Sequence, residues 1–380
     1  IRKRRKFGNP MGKRTLLQLI PALGAGGAER GALDVAKAAI TRGWASVIAT
    51  SGGHLLPEAE AAGVVVIQGP FGSKNPYQLW ANGRHLRSII ATHEPDIIHV
   101  RSRAPAWALK FGIGRDPRIV TTYHGTYNAG FGIKRAYNRI MTEGTRVICI
   151  SAFIMRHVAD EHPESVDRLR LVPRGIRLES FPATSFKPPS MPRLLLPGRL
   201  TRWKGQMLFL EALALLRGAK VHVQASIMGD AQGRQEYVDE LNGAIDRLGL
   251  RPNVQLLPPS VDMASAYQDH DLVVVPSLDP EAFGRVPVEA QLACRPVVAA
   301  DHGGASETMG GEGSCFLVTP GDAMDLARGL KTAITAMHAP DFDARLQGAK
   351  NRVAGLYGLD QMIDKTFAVY DEVLACPRPQ

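Results

Sequence analysis

Two glutamates lie in a short stretch of the chain that could bind a polar ligand. Residues 279–291, DPEAFGRVPVEAQ, place Glu281 before a glycine turn and Glu289 about one turn inside a following helix, which Pro287 would help to start. Backbone amides at Phe283, Gly284 and Arg285 would point toward a phosphate or a sugar at the start of that helix. From this stretch alone, sugar-binding carboxylates and two solvated acids remain equally open.

Two cations follow another apolar run. Residues 197–206, PGRLTRWKGQ, carry Arg199 and Lys204 on either side of a strand-to-helix turn. Cations at a helix N-terminus oppose the helix dipole unless an anion is present. A diphosphate clamp is therefore favoured over a solvated pair, since arginine offers forked donors and lysine a point charge. The phosphate-binding loop G-x-x-x-x-G-K-[ST] is absent.

A glycine-rich turn and a histidine follow two strands of the first half. In residues 22–31, ALGAGGAERG, Gly26 and Gly27 allow a ligand to approach the backbone closely. Glu29 occupies the last glycine position of G-x-G-x-x-G, so the dinucleotide fingerprint is absent. A ligand-binding loop and a tight turn without a ligand are therefore equally compatible with this stretch. In residues 121–128, TTYHGTYN, His124 is by itself more typical of a structural residue, although it follows a strand.

Alternating strands and helices position these loops. Apolar runs and helical stretches alternate from Thr15 to about Pro182 and again from Arg193, which indicates two parallel sheets covered on both faces. The predicted fold class is α/β, with two doubly wound, Rossmann-like domains facing each other across a cleft. Ligands bind such sheets beyond the carboxyl ends of the strands. The predicted boundaries are a basic tail 1–14, an N-terminal domain 15–182, a linker 183–192, a C-terminal domain 193–355 and a C-terminal helix 356–380 that packs back toward the N-terminal domain.

Composition limits the classes of protein that fit. The 380 residues are 45% hydrophobic and 22% charged, as in soluble globular proteins, and no apolar run is long enough to span a membrane. Residues 1–190 carry 28 Lys and Arg against 13 Asp and Glu, hence +15, whereas residues 191–380 carry 18 against 23, hence −5. The first half is therefore expected to meet an anionic partner. Four scattered cysteines fit a reducing, cytoplasmic setting.

The order of four motifs resembles one enzyme family. In chain order, YHGTY, VPRGI, PGRLTRWKGQ and PEAFGRVPVEAQLACRPVVAADHGGASETM resemble the family 4 retaining glycosyltransferases of the GT-B fold, from Leu16 to about Leu374. The resemblance implies a nucleotide-sugar donor, UDP- or GDP-linked, bound mainly by the C-terminal domain. It also implies a retaining transfer by front-face attack, with no protein nucleophile and no metal. The expected acceptor is an anionic glycolipid or saccharide, such as a lipid-linked saccharide or a lipopolysaccharide core.

The resemblance also assigns residues to these roles. Arg199 and Lys204 would hold the donor diphosphate, Glu281 the transferred sugar and Glu289 the ribose. Arg285, which replaces a smaller residue of many relatives, would add a contact to the donor or the acceptor. The implied catalytic residues are His124, Glu281, Arg199 and Lys204. The implied donor-binding residues are Gly26, Gly27, Arg199, Lys204, Leu257, Glu281, Ala282, Phe283, Gly284 and Glu289. The acceptor-binding candidates are Arg101, Arg103 and Tyr123.

A basic segment and an acidic pair leave alternatives open. Residues 131–146, FGIKRAYNRIMTEGTR, would rest on an anionic membrane surface, at the cytoplasmic face of the inner membrane, or equally would cover the domain core as an ordinary surface helix. Asp341 and Asp343 match a metal-binding D-x-D, but acids at a helix start are better explained by capping.

Two other functions compete with sugar transfer. The sequence pI of about 9.6 suggests nucleic-acid binding, but no helix-turn-helix or aromatic-basic RNA motif is present, so no nucleic acid is expected as a partner. Another GT-B enzyme, such as a sugar-nucleotide epimerase, would change the donor sugar without an acceptor.

Overall fold

The computed structural model describes residues 13–24, 26–116, 118–127, 132–182, 184–310 and 313–376. Most of the predicted basic tail 1–14 lies outside the described residues. The same is true of Phe131 in the basic segment, of position 183 in the predicted linker and of residues 377–380. The chain divides into two compact units, 1–175 with 360–380, and 176–359.

A parallel sheet forms the centre of the first unit. Its seven strands lie in the order β3-β2-β1-β4-β5-β6-β7, and most apolar side chains of the five inner strands are buried because helices cover the sheet. The order reverses between β1 and β4, which creates a crevice at the carboxyl ends of these two strands. The strands are β1 (Thr15–Leu19), β2 (Ala45–Thr50), β3 (Val65–Gln68), β4 (Ile97–Val100), β5 (Ile119–Tyr123), β6 (Arg146–Cys149) and β7 (Leu169–Leu171). The helices are α1 (Gly27–Thr41), α2 (Leu56–Ala61), α3 (Pro76–His93), α4 (Arg103–Ile113), α5 (Ile133–Arg139) and α6 (Ala152–Glu161).

The second unit repeats this plan with six parallel strands in the order β10-β9-β8-β11-β12-β13. Its order reverses between β8 and β11, so a second crevice forms where those two strands end. The strands are β8 (Arg193–Pro197), β9 (Gln224–Met228), β10 (Val254–Leu257), β11 (Leu272–Val275), β12 (Val297–Ala300) and β13 (Cys315–Val318). The helices are α7 (Gln206–Gly218), α8 (Gln235–Arg247), α9 (Met263–Gln268), α10 (Arg285–Leu292), α11 (Gly303–Thr308), α12 (Ala323–Ala336) and α13 (Phe342–Tyr357). The predicted α/β class with two doubly wound sheets is confirmed.

The last helix, α14 (Leu359–Ala375), completes the core of the first unit. Phe367 and Tyr370 pack among buried residues of β1, β4 and α1. The Tyr370 hydroxyl lies 2.6 Å from Nδ1 of the buried His99 on β4, and the other ring nitrogen of His99 lies 2.6 Å from the Thr122 hydroxyl. These contacts fix α14 on the sheet through polar groups as well as apolar ones. Across the described residues, no helix is both long enough and apolar enough to cross a membrane.

The predicted linker 183–192 belongs instead to the second unit. Phe186 is buried and meets the ring of Phe342 edge-on at 5.5 Å. Its backbone N–H donates to Asp343 at 2.6 Å, so Asp343 has a structural partner. The Asp341 carboxylate accepts a hydrogen bond from Arg345 Nε at 2.9 Å, and its side chain does not cap α13. The first unit's N-terminal part ends at Gly175 and the second unit begins at Ile176, before the predicted linker.

The later part of the basic segment 131–146 packs into the core of the first unit. Ile140 and Met141 are buried under the sheet. Arg135 donates to the Glu161 carbonyl, and Arg139 lies 3.3 Å from the Glu164 carboxylate. The end of the segment is thus used inside the protein, and two of its cations have partners in the first unit.

Candidate active site

A lysine and a glutamate meet at the crevice of the second sheet. Lys204 follows β8 and Glu281 follows β11, the two strands between which the order reverses. Lys204 Nζ donates to Glu281 Oε1 at 2.6 Å, and the Ser277 hydroxyl donates to the same oxygen at 2.7 Å. The two charged side chains are only 11% and 10% exposed. This arrangement places a cation and a carboxylate side by side, where a parallel sheet binds ligands.

A glycine in the left-handed region brings Lys204 to this position. A short 3-10 turn, Arg202–Lys204, ends at Gly205, whose φ of 73° suits glycine. A Cβ at Gly205 would overlap the Pro276 carbonyl oxygen, so the turn passes directly against the end of β11. The ring of Trp203 lies 4.5 Å from Lys204 Nζ. Arg199 is exposed at the end of β8, and its guanidinium carbon is 6.0 Å from the same ring.

Close backbone contacts hold the loop that carries Glu281. The Gly304 N–H donates to the Glu281 carbonyl at 2.6 Å, and a Cβ at Gly304 would collide with the backbone of Phe283. Gly284, with φ of 80°, is the residue before α10. Because glycine has no side chain, it cannot cap the first amides of α10. The Phe283 side chain is 4% exposed against the Tyr357 ring. Phe283 can therefore reach a ligand only through its backbone.

Glu289 is a buried, doubly bonded carboxylate. It is 7% exposed, accepts the Tyr267 hydroxyl at one oxygen at 2.9 Å and accepts Arg285 Nε at the other at 2.6 Å. Burial, followed by the neighbouring Glu289 charge, raises the pKa of Tyr267 well above its usual value, so the phenol remains a donor. Arg285 forms this ion pair at i,i+4 spacing while its side chain stays 49% exposed, so its predicted extra contact to the donor or the acceptor stays a prediction.

The remaining donor-side candidates lie on neighbouring strand ends. Leu257 is half-buried at the end of β10, and its carbonyl accepts the Gly229 N–H at 3.1 Å. Ala282 is half-buried next to Glu281. Within the described part of the chain, no group of three or more His, Cys, Asp and Glu side chains is placed to hold a metal ion.

The crevice of the first sheet contains a buried arginine. Arg101 follows β4, is 7% exposed and donates through Nε to the Gln18 side chain of β1 at 2.7 Å. Gln18 in turn donates to the Ala32 carbonyl of α1 at 2.9 Å, which fixes its orientation. Arg101 Nη2 is buried without a hydrogen-bond partner. Burial lowers the pKa of Arg101 to about 10, with Tyr370 and Asp34 opposing the shift, so its charge persists at neutral pH.

His124 faces the same pocket as a neutral ring. Burial, and then the Arg174 and Arg101 charges, hold its pKa well below the usual range. Arg174 Nη2 lies 3.5 Å from His124 Nδ1. A neutral ring that accepts at Nδ1 carries its proton on Nε2, and Nε2 is buried without a partner. The pocket is also lined by Gly27, Ala28, Gly31, Val35, His99, Thr122, Ile148, Ile150, Val172, Met362 and Thr366.

Three other predicted residues of the first unit have contacts that the sequence did not reveal. Tyr123 is 1% exposed in the core, so burial removes it from the acceptor-binding candidates. Arg103 stacks over the Tyr127 ring at 4.1 Å and donates to Asn138 at 2.7 Å, so its guanidinium is held by the protein. A Cβ at Gly26 would collide with the Glu29 carboxylate, which therefore lies beside the start of α1.

Comparison with known families accounts for most of the chain. Residues 25–180 match the profile of Glycosyltransferase Family 4, and residues 179–346 match that of Glycosyl transferases group 1. The two profiles meet where the structure passes from its first unit to its second. The chain is a GT-B glycosyltransferase of the family-4-like type.

Solved structures agree with this assignment. A glycosyltransferase from Rickettsia africae is 29% identical, with a TM-score of 0.87 over 96% of this chain and 100% of that one. Anabaena HepE in complex with UDP-glucose shares the fold at 24% identity, with a TM-score of 0.75 over 93% of this chain and 99% of its own. A curated relative from Arthrobacter, a D-inositol 3-phosphate glycosyltransferase, is 28% identical over 60% of this chain and 59% of its own length.

In this glycosyltransferase, the structure groups the predicted residues by sheet. Lys204 and Glu281 are in direct contact at the second crevice, whereas Arg101 and His124 line one pocket in the first unit. Sequence reasoning missed Ser277, Tyr267 and Arg174 as partners of those residues. Arg174 lies in VPRGI, a motif that was noted, but no signal in the sequence marked the other two.

Proposed function

We propose that this glycosyltransferase moves a hexose from a UDP- or GDP-sugar, with retention, to an anionic acceptor such as a phosphorylated or lipid-linked saccharide, with a lipopolysaccharide core as one candidate. The observation that carries the proposal is the Lys204–Glu281 pair at the crevice of the second sheet. A cation next to a carboxylate matches a donor that presents a phosphate beside a sugar hydroxyl. Anabaena HepE, which shares the fold, binds UDP-glucose and supports this donor class.

The donor roles follow from what each side chain offers. Lys204 and the exposed Arg199 would neutralise the diphosphate, and the backbone amides from Ala282 to Gly284, at the entry to α10, would add donors. Glu281 would lose one of the hydrogen bonds that it accepts within the protein and would accept hydrogen bonds from sugar hydroxyls instead. Leu257 would contact the base, and in the first unit Gly26, Gly27 and His124 are assigned to the donor by the family resemblance.

Glu289 is assigned a more limited role than a free carboxylate would have. Each of its oxygens already accepts one hydrogen bond, but each has a second lone pair. We assign these remaining lone pairs to the ribose hydroxyls, with Tyr267 and Arg285 fixing the orientation of the carboxylate.

The proposed transfer requires no protein nucleophile. The bond from the sugar C1 to the leaving phosphate oxygen breaks as the bond from C1 to the acceptor oxygen forms on the same face. The acceptor hydroxyl proton passes to the leaving phosphate oxygen, so atoms and charge balance. Lys204 and Arg199 stabilise the negative charge that grows on the diphosphate. No step uses a metal ion.

On the acceptor side, we assign an anionic group of the acceptor to Arg101. Its Nη2 is a buried donor without a partner in the pocket that His124 also lines, and an oxyanion of the acceptor would satisfy it. The Arthrobacter relative is named for a phosphorylated acceptor, which supports this class. The four cysteines of the described residues are free, which fits the reducing, cytoplasmic setting that we propose for the reaction.

A donor screen tests the proposal directly. UDP-, GDP- and ADP-sugars are added to the protein, and one nucleotide class is expected to raise the melting temperature by several degrees. Ligand at a hundred times its Kd stabilises the folded state by about 2.7 kcal/mol. The matching donor should then yield a product with the donor's anomeric configuration, as measured by NMR. Conversion of the donor sugar without any acceptor would instead identify an epimerase and contradict the proposal.

Replacing Arg101 with methionine tests the acceptor side. D-inositol 3-phosphate and unphosphorylated inositol serve as paired probes, and the phosphate-dependent rise in melting temperature is expected to disappear in the variant. Affinity for an anionic probe should fall roughly a hundredfold, since truncating one partner of a buried charge pair costs about 2–5 kcal/mol. Arg103→Met is the matched control, because that guanidinium is stacked on Tyr127, and it should leave the phosphate effect unchanged. Equal losses in both variants would contradict the assignment.

A further inference from the structure

Two helices of the first unit contain all the exposed large aromatic side chains among the described residues. Tyr77 is 75% exposed and Trp80 50% exposed on α3, and Phe111 is 49% exposed on α4. Tryptophan is highly buried on average, and a contiguous exposed apolar patch commonly marks an interaction surface. These rings are not isolated, because Tyr77 and Trp80 lie 6.3 Å apart and Phe111 lies 5.9 Å from the Trp107 ring.

The two helices form one surface because they cross at glycines. A Cβ at Gly83 of α3 would come within 2.7 Å of the Ala108 carbonyl of α4, and a Cβ at Gly112 would collide with the Gly83 carbonyl. Arg87 of α3 donates through Nε to the Gly112 carbonyl at 2.8 Å, which joins their exposed sides. Both helices therefore lie on the same side of the sheet, with no room for another element between them at the crossing.

This surface carries cations and no acids. Residues 70–93 and 97–115 contain no aspartate or glutamate. We define the α3–α4 face by its exposed residues. These are Lys74, Tyr77, Trp80, Arg84, Arg87, Phe111 and Arg115. The Arg84 guanidinium lies 5.2 Å from the centre of the Trp80 ring, so charge and aromatic surface are combined in one contact.

We propose that the α3–α4 face binds the surface of an anionic lipid bilayer. Tryptophan and tyrosine favour the boundary between lipid headgroups and acyl chains, because an apolar ring and a polar tip are satisfied there together. Basic side chains around them are attracted to anionic headgroups. The aromatic side chains supply the apolar contact and the four cations the electrostatic one. Neither requires a shaped groove, which a bound peptide would need.

The position of the face fits an acceptor embedded in lipid. Helix α3 follows β3, so Tyr77 and Trp80, in its first two turns, lie near the carboxyl edge of the sheet. Arg101 and His124 follow β4 and β5 at that same edge. Bilayer binding itself goes beyond the proposed function, because it requires neither donor nor transfer. Its failure would leave the donor and acceptor assignments intact.

Vesicle sedimentation tests the proposal. The full chain is mixed with vesicles of phosphatidylcholine alone or of phosphatidylcholine with phosphatidylglycerol, and binding is expected only to the anionic vesicles and to weaken as salt rises. Trp80→Ser should weaken binding roughly tenfold. Lys74→Gln combined with Arg84→Gln should weaken it by about fivefold per cation removed. Trp80→Phe should retain part of the affinity, because it keeps an apolar ring.

A matched control comes from the second unit. Met324→Ser with Lys331→Gln removes an exposed apolar side chain and an exposed cation from α12, and it should leave vesicle binding unchanged. A donor-induced rise in melting temperature in every variant shows that the fold and the donor site are intact. Equal binding to neutral vesicles, no vesicle binding, or equal losses in the control variant would overturn the proposal. Retention of duplex DNA without retention of anionic vesicles would overturn it in favour of nucleic acid.

Discussion

Lys204→Met is expected to lower the rate of sugar transfer by a factor of about a hundred to a thousand, as removal of one donor that stabilises a developing charge does in other enzymes. The lysine stands at the crevice of the second sheet and pairs with Glu281 at 2.6 Å. Without it, the leaving diphosphate loses its buried cation, while Arg199 remains exposed at the strand end. The measurement is transfer under saturating donor, so that weaker binding is separated from slower chemistry.

In Lys204→Met, the loss of stability from the broken ion pair must be separated from the loss of catalytic rate. The single variant leaves Glu281 largely buried beside Ser277 without its cation, which costs roughly 3–5 kcal/mol in buried pairs. The double variant Lys204→Met with Glu281→Gln removes both charges, so it should recover most of that stability in urea unfolding. Its transfer activity should nevertheless stay as low as that of the single variant.

Arg202→Met provides the matched control within the same turn. Its guanidinium is 70% exposed and pairs with Glu240 on α8, away from Glu281. Activity should remain within about twofold, because exposed ion pairs contribute only about 0–1 kcal/mol. Wild-type activity in Lys204→Met, or an equal loss in Arg202→Met, would show that the pair is not the centre of the reaction.

Gly205→Ala is expected to destabilise the second unit by about 3 kcal/mol or more and to abolish transfer. The new Cβ would overlap the Pro276 carbonyl, and the φ of 73° would strain an alanine by a further 1–3 kcal/mol or so. The turn can relieve the overlap only by moving away from β11, and Lys204 would move with it. Urea unfolding and donor-induced thermal shift measure the two effects.

Gly348→Ala is the control, because this glycine has neither a positive φ nor a close neighbour. It lies in α13, and a Cβ there meets nothing within 4 Å. Since alanine favours a helix over glycine by up to about 1 kcal/mol, the variant should be neutral or slightly more stable. If Gly205→Ala folded and bound donor like the wild type, the close approach of the turn to Pro276 would not be required.

The strand pattern could be read from the sequence because parallel strands are buried on both faces. Runs such as DIIHV and DLVVVPS are nearly all apolar, and they correspond to β4 and β11. The alternation predicts a helical stretch between β4 and β5, where α4 lies, although the sequence RAPAWALKFGI contains a glycine, which weakens a helix. Gly112 serves instead for contact with Gly83, which only the packed structure reveals.

Side-chain partners were harder to predict than side-chain positions. The Arg285–Glu289 pair has helical i,i+4 spacing, so it could have been inferred once α10 was predicted. Tyr267 is 22 residues from Glu289 in the chain, and no local rule connects the two. The burial of Tyr123 and the stacking of Arg103 on Tyr127 depend on segments that pack from elsewhere in the unit. Residue type and spacing therefore located the crevices but did not show which groups are already engaged.

The discontinuous first unit has a consequence for the order of folding during synthesis. Multidomain chains usually fold from the N-terminus as each segment leaves the ribosome. Here residues 176–359 form a continuous unit that is synthesised before α14, whereas the first unit lacks Phe367 and Tyr370 until α14 emerges. Until then, His99 has no Tyr370 hydroxyl, and the core around β1 and β4 is open to solvent. The unit whose synthesis begins first is therefore the one that finishes folding last.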